Sequence, residues 1–396
     1  VGEKDSFTMA GNSIEDVIVD HCSFALADDE TASFYSSSVA TGNVANITLQ
    51  NNFYAESSKG LLIGVNLAST ATSGNMSIIG NLFYNAGYRF PNAFGDFGKF
   101  EVINNVIWNP TGRIGQLHGD SSQINYINNY IDFGNHLLKD TSTLLSDFPT
   151  NSGANYPQIY TNGNKIIAQN VSNSDMLWAG SDPVTYINTN QSELWGYFNS
   201  GLYTGTDYYG KRLPSNYHVN TPFSLLGENV TLKTADESFA AIKLGVGCDA
   251  RLNADGSVSE NIDALDRQWL DIVLAGTYNG SGRFYNTSIP AITSVVRPAN
   301  FYVSNPHIPE AYLLSRGITG NSTIHNVVQP SGYTLLEEYL NGVDGVITET
   351  VSDAIAGQST MTYSFSTTAD LSALGTYDIK AYTSLAMKLG TWSALI

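Results

Sequence analysis

The acidic run Asp28-Asp29-Glu30 carries side chains that could take part in chemistry. Two adjacent carboxylates could serve as the acid and the base of a glycoside hydrolase, although the same run could equally be a solvated loop without a function. A second group, Asn253, Asp255 and Gly256, hints at a calcium-binding loop between Asp249 and Glu260. Its spacing fits a turn better than a calcium loop.

Cys22 and Cys248 are the two cysteines of the chain. They are too few and too far apart to indicate a disulfide framework or a zinc site. We interpret Cys22 as a small buried apolar residue and His21 as a structural residue that orients neighbouring loops. Cysteine usage therefore does not decide the redox compartment.

The overall composition favours an all-β extracellular protein with more than one domain. The 396 residues include 36 Gly, 23 Tyr and 17 Phe, and only 14% are charged. The formal net charge of −18 would repel nucleic acids and anionic membranes, so we expect neither as a partner. Residues 1–5 form neither a signal peptide nor an anchor, and a secretion signal would have been removed or would lie outside this chain.

Short segments with a common pattern recur through the first third of the chain. Each has an apolar strand, a polar pair and a second apolar strand: residues 17–24 (VIVDHCSF), 47–54 (ITLQNNFY), 77–84 (SIIGNLFY), 102–107 (VINNVI) and 126–131 (YINNYI), with a looser copy at 159–167 (IYTNGNKII). Aligning Ser23, Asn52, Asn81, Asn105 and Asn129 gives intervals of 29, 29, 24 and 24 residues. This periodicity predicts an all-β parallel β-helix.

An asparagine at each bend has a physical reason in such a fold. It tolerates a left-handed backbone conformation, and its amide can bond to the equivalent amide of the next repeat. The alternative is that the Asn pairs mark hairpin turns in a β-sandwich.

The remaining sequence predicts insertions, short helices and a second module. The stretches 67–75 and 141–156 are predicted loops on one face, and 263–275 and 335–340 carry short helical signals. Alternating strands predict a partial β-sandwich in residues 343–396, which leaves 1–342 as the first domain.

Five stretches resemble, in the same order, segments of the bacterial pectate lyases that carry a "DHCS…DE" pattern. They are residues 19–24 (VDHCSF) followed by Asp29-Glu30, residues 58–64 (SKGLLIG), 89–91 (RFP), 102–109 (VINNVIWN) and 331–341 (SGYTLLEEYLN). The resemblance implies a right-handed parallel β-helix, to which the strand pattern of residues 343–396 adds the partial C-terminal β-sandwich module. It also implies a calcium-dependent lyase that cleaves pectate, or a related uronate polymer, by β-elimination.

The same resemblance implies the roles of the site residues. Asp5, Asp29 and Glu30 would bind Ca²⁺, Lys59 would bind the substrate carboxylate, and Arg89 would be the catalytic base. A guanidinium normally keeps its proton to about pH 12, so neighbouring Lys59 and calcium would have to favour proton loss, which implies an alkaline optimum.

This sequence departs from the family pattern at three places. Phe94 and Gly95 stand where a second arginine would fall, and residues 300–305 replace an acidic run that could form an accessory calcium loop. The chain also begins shortly before His21, so we expect the first repeats of a family member to be missing.

Two other functions stay open. One is a glycan-binding attachment protein, such as a phage tailspike or a surface adhesin, and the other is a glycoside hydrolase that uses the paired carboxylates. We expect an acidic polysaccharide as the partner and a secreted, cell-surface or virion-surface location. A homo-oligomer or a larger surface assembly is compatible with all three functions.

Overall fold

The computed structural model describes most of the first two thirds of the chain and a stretch beyond it. The described residues are 4–36, 43–65, 74–94, 98–112, 114–118, 122–138, 145–147, 158–171, 183–191, 195–197, 211–212, 218–226, 230–243, 245–278, 297–341, 379–381 and 390–392.

Three sheets contain most of the strands; each strand of the earlier repeats pairs with the strand three places further along the chain, whereas most later partners are four places apart. Sheet 1 contains β1 (Phe7–Ala10), β4 (Glu30–Ser36), β7 (Lys59–Val65), β10 (Asn92–Phe94), β13 (Gly115–His118), β17 (Leu145–Asp147), β21 (Trp195–Tyr197) and β22 (Lys211–Arg212). Sheet 2 contains β2 (Ile14–Asp20), β5 (Val44–Gln50), β8 (Met76–Ile79), β11 (Lys99–Ile103), β14 (Gln123–Ile127) and β18 (Gln158–Asn162). Sheet 3 contains β3 (Ser23–Ala25), β6 (Phe53–Ala55), β9 (Leu82–Tyr84), β12 (Val106–Trp108), β15 (Tyr130–Asp132) and β19 (Lys165–Ile167).

All pairings in these sheets are parallel except the antiparallel pair β21–β22. Three two-stranded pairs complete the strands: β16 (Leu137–Leu138) with β20 (Asn170–Val171), β23 (Ala250–Leu252) with β24 (Val258–Glu260), and β25 (Ile379–Ala381) with β26 (Gly390–Trp392). The described helices are α1 (Pro183–Thr189), α2 (Ala235–Ala241), α3 (Ala264–Leu274), α4 (Glu310–Ser315), α5 (Leu335–Asn341) and a 3-10 turn at Ile324–Asn326.

A ladder of buried asparagines links the repeats between sheets 2 and 3. The Oδ1 atom of Asn81 accepts both the backbone N–H and the side-chain N–H of Asn52, at 2.9 and 3.1 Å. The same two bonds recur from Asn81 to Asn105, from Asn105 to Asn129 and from Asn129 to Asn164. The predicted amide ladder is therefore confirmed.

The start of the ladder needs a correction. Ser23 pairs with Phe53 and not with Asn52, so Cys22 occupies the ladder position of the first repeat. Its backbone N–H donates to Oδ1 of Asn52 at 2.9 Å, and its thiol donates to the carbonyl of Asp20 at 3.3 Å. The first interval of the repeat is thus one residue longer than the sequence alignment predicts.

The left-handed backbone lies one residue before each ladder residue. His21, Asn51, Asn104 and Asn128 have φ values between 47° and 58°, and Gly80 and Gly163 take this place in the other repeats. At each bend, one residue adopts the left-handed backbone conformation and the next residue makes the ladder hydrogen bonds. This is why the sequence shows polar pairs and not single asparagines. The structural interpretation of His21 agrees with this position.

The inner faces of the three sheets share one apolar core. It contains residues from every sheet, among them Phe34 and Leu61 from sheet 1, Leu49 from sheet 2 and Tyr54 and Phe83 from sheet 3. Tyr54 stacks between Phe24 and Phe83, with ring centroids 5.6 and 4.9 Å apart. This stacking supports the register of successive repeats.

The opposite face of sheet 3 is also apolar, and helices α2 and α3 cover it. Phe53, Leu82 and Trp108 on the sheet form a second cluster with Trp269 and Ile242, which come from the helical segments. Parallel strands that are apolar on both faces require a cover on each side. Thr234 begins α2 with a capping box, and Asp263 caps the first turn of α3.

The predicted fold class is wrong. We expected an all-β, right-handed parallel β-helix with a partial C-terminal β-sandwich, whereas the described residues combine parallel sheets with helices in an α/β-like arrangement. No sheet closes on itself within the described part of the chain. The physical reason is the second apolar face of sheet 3, which the helices bury.

The two short predicted helices are confirmed as α3 and α5. The predicted loops 67–75 and 141–156, the boundary at 342 and the sandwich in 343–396 lie largely outside the described residues, apart from short segments such as β17 and the pair β25–β26.

The chain forms two compact units. One comprises Val1–Asn253 and Val258–Ala299, and the other comprises Ala254–Ser257 and Asn300–Ile396. Among the described residues, no helix combines the length and the hydrophobicity that crossing a bilayer requires.

Candidate active site

One end of sheet 1 brings together residues from four successive segments. Glu30 and Lys59 are the first residues of β4 and β7 and are paired in register. The backbone N–H of Lys59 donates to the carbonyl of Asp29, and that of Asp29 donates to Lys4. On the other side, the N–H of Leu61 donates to the carbonyl of Arg89 at 2.8 Å. The parallel register therefore places these side chains next to one another.

Three carboxylates form a cluster at this end. Oxygen atoms of Asp5, Asp29 and Glu30 all lie within 4.8 Å of one another. Asp5 is held by its neighbours, because its Oδ1 accepts the backbone N–H of Glu30 at 3.1 Å and its Oδ2 accepts the hydroxyl of Thr8 at 2.9 Å. Hard oxygen donors at this spacing suit Ca²⁺, which prefers carboxylate and carbonyl oxygens.

Two cationic side chains contact the same carboxylates. Nζ of Lys59 donates to Oδ1 of Asp29, and a terminal guanidinium nitrogen of Arg89 donates to Oε1 of Glu30. All four side chains are largely shielded from solvent, with exposed fractions of 14% for Lys59, 17% for Asp29, 20% for Arg89 and 3% for Glu30. Ion pairs at this depth are screened much less than surface pairs.

Arg89 is held in an unusual backbone conformation. Its φ is +75°, a value that a side chain with a Cβ rarely adopts. The hydrogen bonds of the neighbouring strand fix this segment, and the guanidinium also lies 5.2 Å from the ring centre of Tyr88. Backbone outliers of this kind are often retained at functional sites.

The surroundings of Glu30 and Lys59 shift their pKa values for different reasons. Burial raises the pKa of Glu30 to about 7, against the opposing effect of Arg89. Burial would lower the pKa of Lys59, but its hydrogen bond to Asp29 and the charge of Glu30 prevail and raise that pKa. Lys59 therefore stays protonated at neutral pH.

A groove of about 460 Å³ lies beside the carboxylates. Its lining residues are Lys4, Asp5, Thr8, Asp29, Glu30 and Leu62. Leu62 belongs to the outer face of sheet 1, because its neighbours Leu61 and Ile63 lie in the core. The cluster of charged groups thus faces an open groove on the outside of the sheet.

Two polar side chains flank Leu62 in the register of sheet 1. Ser33 and Asn92 pair with Leu62 from the two sides, and only 2% and 0% of their surfaces are exposed. Within the part of the chain that the structure describes, the hydroxyl of Ser33 and both polar atoms of the Asn92 amide have no hydrogen-bond partner. Buried polar groups are normally paired, so these atoms are candidates for contact with a ligand.

The structure brings together every residue that the sequence analysis placed at the site: Asp5, Asp29, Glu30, Lys59 and Arg89. Sequence reasoning did not find Lys4 and Thr8 on the groove or Ser33 and Asn92 beside it. Alternation along β4 and β10 is the signal that could have indicated the last two residues. Their outward position follows once the inward residues are known.

Other predicted features lie elsewhere. Asp255 accepts hydrogen bonds from the backbone and the side chain of Ser257, in the turn that the sequence predicted as the alternative to a calcium loop. Phe94, at the place of the missing second arginine, pairs with Gly64 of β7. Asn305, in the stretch that replaces the acidic run, is buried and accepts the backbone N–H groups of His307 and Ile308.

No protein-family model matches this chain, and a search of the curated proteins also finds no match. The interpretation of the site therefore depends on its own geometry and chemistry.

Proposed function

We propose that this protein is a calcium-dependent polysaccharide lyase that cleaves pectate or a related uronate polymer by β-elimination. The observation that supports the proposal best is the meeting of three carboxylates with Lys59 and Arg89 beside an open groove. The resemblance of the sequence segments around these residues to bacterial pectate lyases points to the same chemistry. A polysaccharide substrate of this kind is consistent with a secreted or cell-surface protein.

The proposed reaction needs three functions from the site. β-Elimination removes the proton at C5 of the uronate, forms the C4–C5 double bond and breaks the bond from C4 to the glycosidic oxygen. The C5 proton is weakly acidic, because the adjacent carboxylate is already negative. The site must therefore neutralise that carboxylate, stabilise the charge that develops and supply a base.

The residues divide these functions between them. A calcium ion held by Asp5, Asp29 and Glu30 would neutralise the substrate carboxylate and withdraw charge from C5. The ammonium group of Lys59 would bind an oxygen of that carboxylate and orient the sugar ring. Arg89 would act as the base that accepts the C5 proton, and the leaving oxygen would take a proton from water.

The net charge of −18 slows the approach of a polyanion, but it does not exclude this substrate. Charges further away than a Debye length of about 8 Å are largely screened at physiological ionic strength. If the distant carboxylates dominate the approach, added salt should increase the rate.

One assay tests the proposal and separates it from the alternatives. The protein is incubated with polygalacturonate, with calcium or with a chelator, and the ultraviolet absorbance of the unsaturated uronide is followed. We expect the absorbance to grow only when calcium is present. In Arg89→Ala, the rate of this growth should be about 10²- to 10⁴-fold lower, which is the range for loss of a general base. Arg267→Ala is the matched control, because Arg267 also contacts a glutamate, Glu260, but on an exposed surface.

The other outcomes point to other functions. New reducing ends without absorbance would indicate a glycoside hydrolase. Binding of the polymer with neither signal would indicate an attachment protein, which the absence of the second arginine at Phe94 would favour. Either result overturns the lyase proposal.

A further inference from the structure

The two cations of the site contact two of the three carboxylates that a metal ion would need. Lys59 contacts Oδ1 of Asp29, and Arg89 contacts Oε1 of Glu30. Calcium binds oxygen at about 2.4 Å. An ion bound to these carboxylates would stand a few ångströms from both cationic groups and would repel them. The ion and the two side chains therefore compete for the same carboxylates.

The charge balance of the cluster changes sign when a divalent cation enters. When all three carboxylates are ionised, which is the state that binds a cation, Asp5, Asp29, Glu30, Lys59 and Arg89 together carry one net negative charge. A divalent cation changes this to one net positive charge, and one bound carboxylate then neutralises the site. These groups have little contact with solvent, so water and salt screen their charges only weakly. The net charge of the cluster therefore affects how strongly it binds an ion.

A second observation on the same face is a pair of buried polar side chains next to the groove. Ser33 and Asn92, the two register partners of Leu62, are more than nine-tenths buried and have polar atoms without a hydrogen-bond partner among the described residues. Leu62 itself lines the groove. Hydroxyl and carboxylate oxygens of a sugar are the partners that such donors and acceptors would accept.

We propose that Lys59 and Arg89 are internal counter-ions that a divalent cation displaces, and that their release couples cation binding to carboxylate binding at this site. This inference rests on the proposed function and adds how cation binding controls the binding of the substrate carboxylate. In the resting protein the two cationic groups neutralise the acidic cluster and are not free to hold a substrate. Cation binding frees both groups for an anion. By linkage, the anion must strengthen cation binding by the same factor.

Calorimetric titration of the whole chain with Ca²⁺ tests this coupling without reference to catalysis. The titration is done with and without D-galacturonate, which has a carboxylate but no glycosidic bond to cleave. We expect galacturonate to raise the calcium affinity about 5- to 150-fold, the usual range of coupling between two sites. Lys59→Met should raise the affinity for calcium alone, because one competing cation is removed, and should reduce the effect of galacturonate.

Two further variants complete the design. Arg89→Gln provides a second test if Lys59→Met does not fold, and it should change the calcium affinity in the same direction. Lys165→Met is the matched control, because Lys165 also contacts an aspartate, Asp236, but on an exposed surface. It should leave both affinities unchanged.

The results separate the two proposals. If calcium binds, and Asp29→Asn abolishes binding while Lys59→Met and Arg89→Gln leave it unchanged, the coupling is wrong but the cation site stands. If galacturonate leaves the calcium affinity of the unmodified protein unchanged, the coupling is also wrong. If the protein binds no calcium at all, both the coupling and the calcium-dependent function are overturned.

Discussion

Glu30 and Lys59 are register partners on adjacent parallel strands, and each side chain contacts an opposite charge from a different segment. Glu30 contacts Arg89, which precedes β10, while Lys59 contacts Asp29, which precedes β4. The site therefore depends on the register of β4 and β7 and also on the backbone position of residues 88–90. A change in either would separate the charged groups.

Gly60→Ala tests the second dependence. A Cβ at Gly60 would lie 2.3 Å from the carbonyl oxygen of Arg89 and 2.9 Å from the ring of Phe90, so the backbone of Arg89 must shift. Misplacement by about 1 Å can reduce a rate about 100-fold, and overpacking costs about 1–3 kcal/mol of stability. We therefore expect the kcat of the lyase reaction to fall about 100-fold. Urea unfolding should show the accompanying loss of stability.

Gly11→Ala is the control for this substitution. The nearest atom to a Cβ at Gly11 is the carbonyl oxygen of Ser13 at 3.6 Å, an ordinary contact. Its rate and stability should stay close to those of the unmodified protein. An active Gly60→Ala variant would show that the position of Arg89 is not critical.

The proximity of the site residues could be predicted from the sequence, but their contacts could not. Repeat spacing and the resemblance together indicated that Asp29, Lys59 and Arg89 meet, since parallel strands in register place equivalent residues side by side. The pairing between cations and carboxylates depends on the left-handed backbone conformation of Arg89. No sequence pattern predicts a positive φ at an arginine.

Asn105→Ala should destabilise the protein strongly. Asn105 is fully buried, accepts two hydrogen bonds from Asn81, and donates to the carbonyls of Ile78 and Ile103 and to Oδ1 of Asn129. Each unpaired buried group costs about 1–3 kcal/mol. We expect the free energy of unfolding, measured with urea, to fall by about 3–5 kcal/mol.

Asn75→Ala serves as the comparison, because Asn75 is exposed and its side chain, among the described residues, makes only a 3.5 Å hydrogen bond to Asn46. Its substitution should change the unfolding free energy by less than about 0.5 kcal/mol. If Asn105→Ala cost no more than this, the ladder would contribute little to stability.

Cys22→Asn should extend the ladder by one member. Among the described residues, Oδ1 of Asn52 accepts only the backbone N–H of Cys22, whereas each following ladder residue accepts two bonds from its predecessor. An amide at position 22 would supply the second donor and would replace the weak thiol bond to Asp20. We expect a gain of about 1 kcal/mol in the free energy of unfolding.

Cys22→Ala separates this effect from the loss of the thiol. The alanine variant should be no more stable than the unmodified protein, so the difference between the two variants reports the amide alone. Cys248→Asn, at the exposed cysteine, should give no gain. A Cys22→Asn protein less stable than Cys22→Ala would contradict the assignment of Cys22 to the ladder.

The helices show where the sequence analysis of the fold was incomplete. Repeat register and the asparagine ladder followed from residue spacing, because each depends on neighbouring residues in successive repeats. The fold class could not be predicted from the spacing, because the outer face of sheet 3 is buried by residues more than 100 positions away in the sequence. Trp269, which contacts Phe53, is an example. Continuous apolar triplets, Phe53–Ala55 and Val106–Trp108, were the available signal for a face that needs a cover.

Asp266 should make the stability of the folded protein sensitive to pH. It lies in α3, is 5% exposed, and burial raises its pKa from 3.8 to about 6, although a hydrogen bond with Ser23 opposes the rise. The folded protein thus holds this proton more tightly than the unfolded chain. The resulting stability is fully present below about pH 4 and is lost as the pH rises through about 6.

Asp266→Asn should remove this dependence, because asparagine keeps the hydrogen-bonding capacity without the charge. A shift of about two pKa units corresponds to about 3 kcal/mol. Urea unfolding should therefore show the variant up to about 3 kcal/mol more stable than the unmodified protein near pH 8 and nearly equal to it near pH 4. Asp271→Asn, at an exposed position of the same helix, should show no such difference between the two pH values. Equal stability of the two proteins at pH 8 would mean that Asp266 ionises in the folded state without cost, and that α3 does not bury its carboxylate in solution.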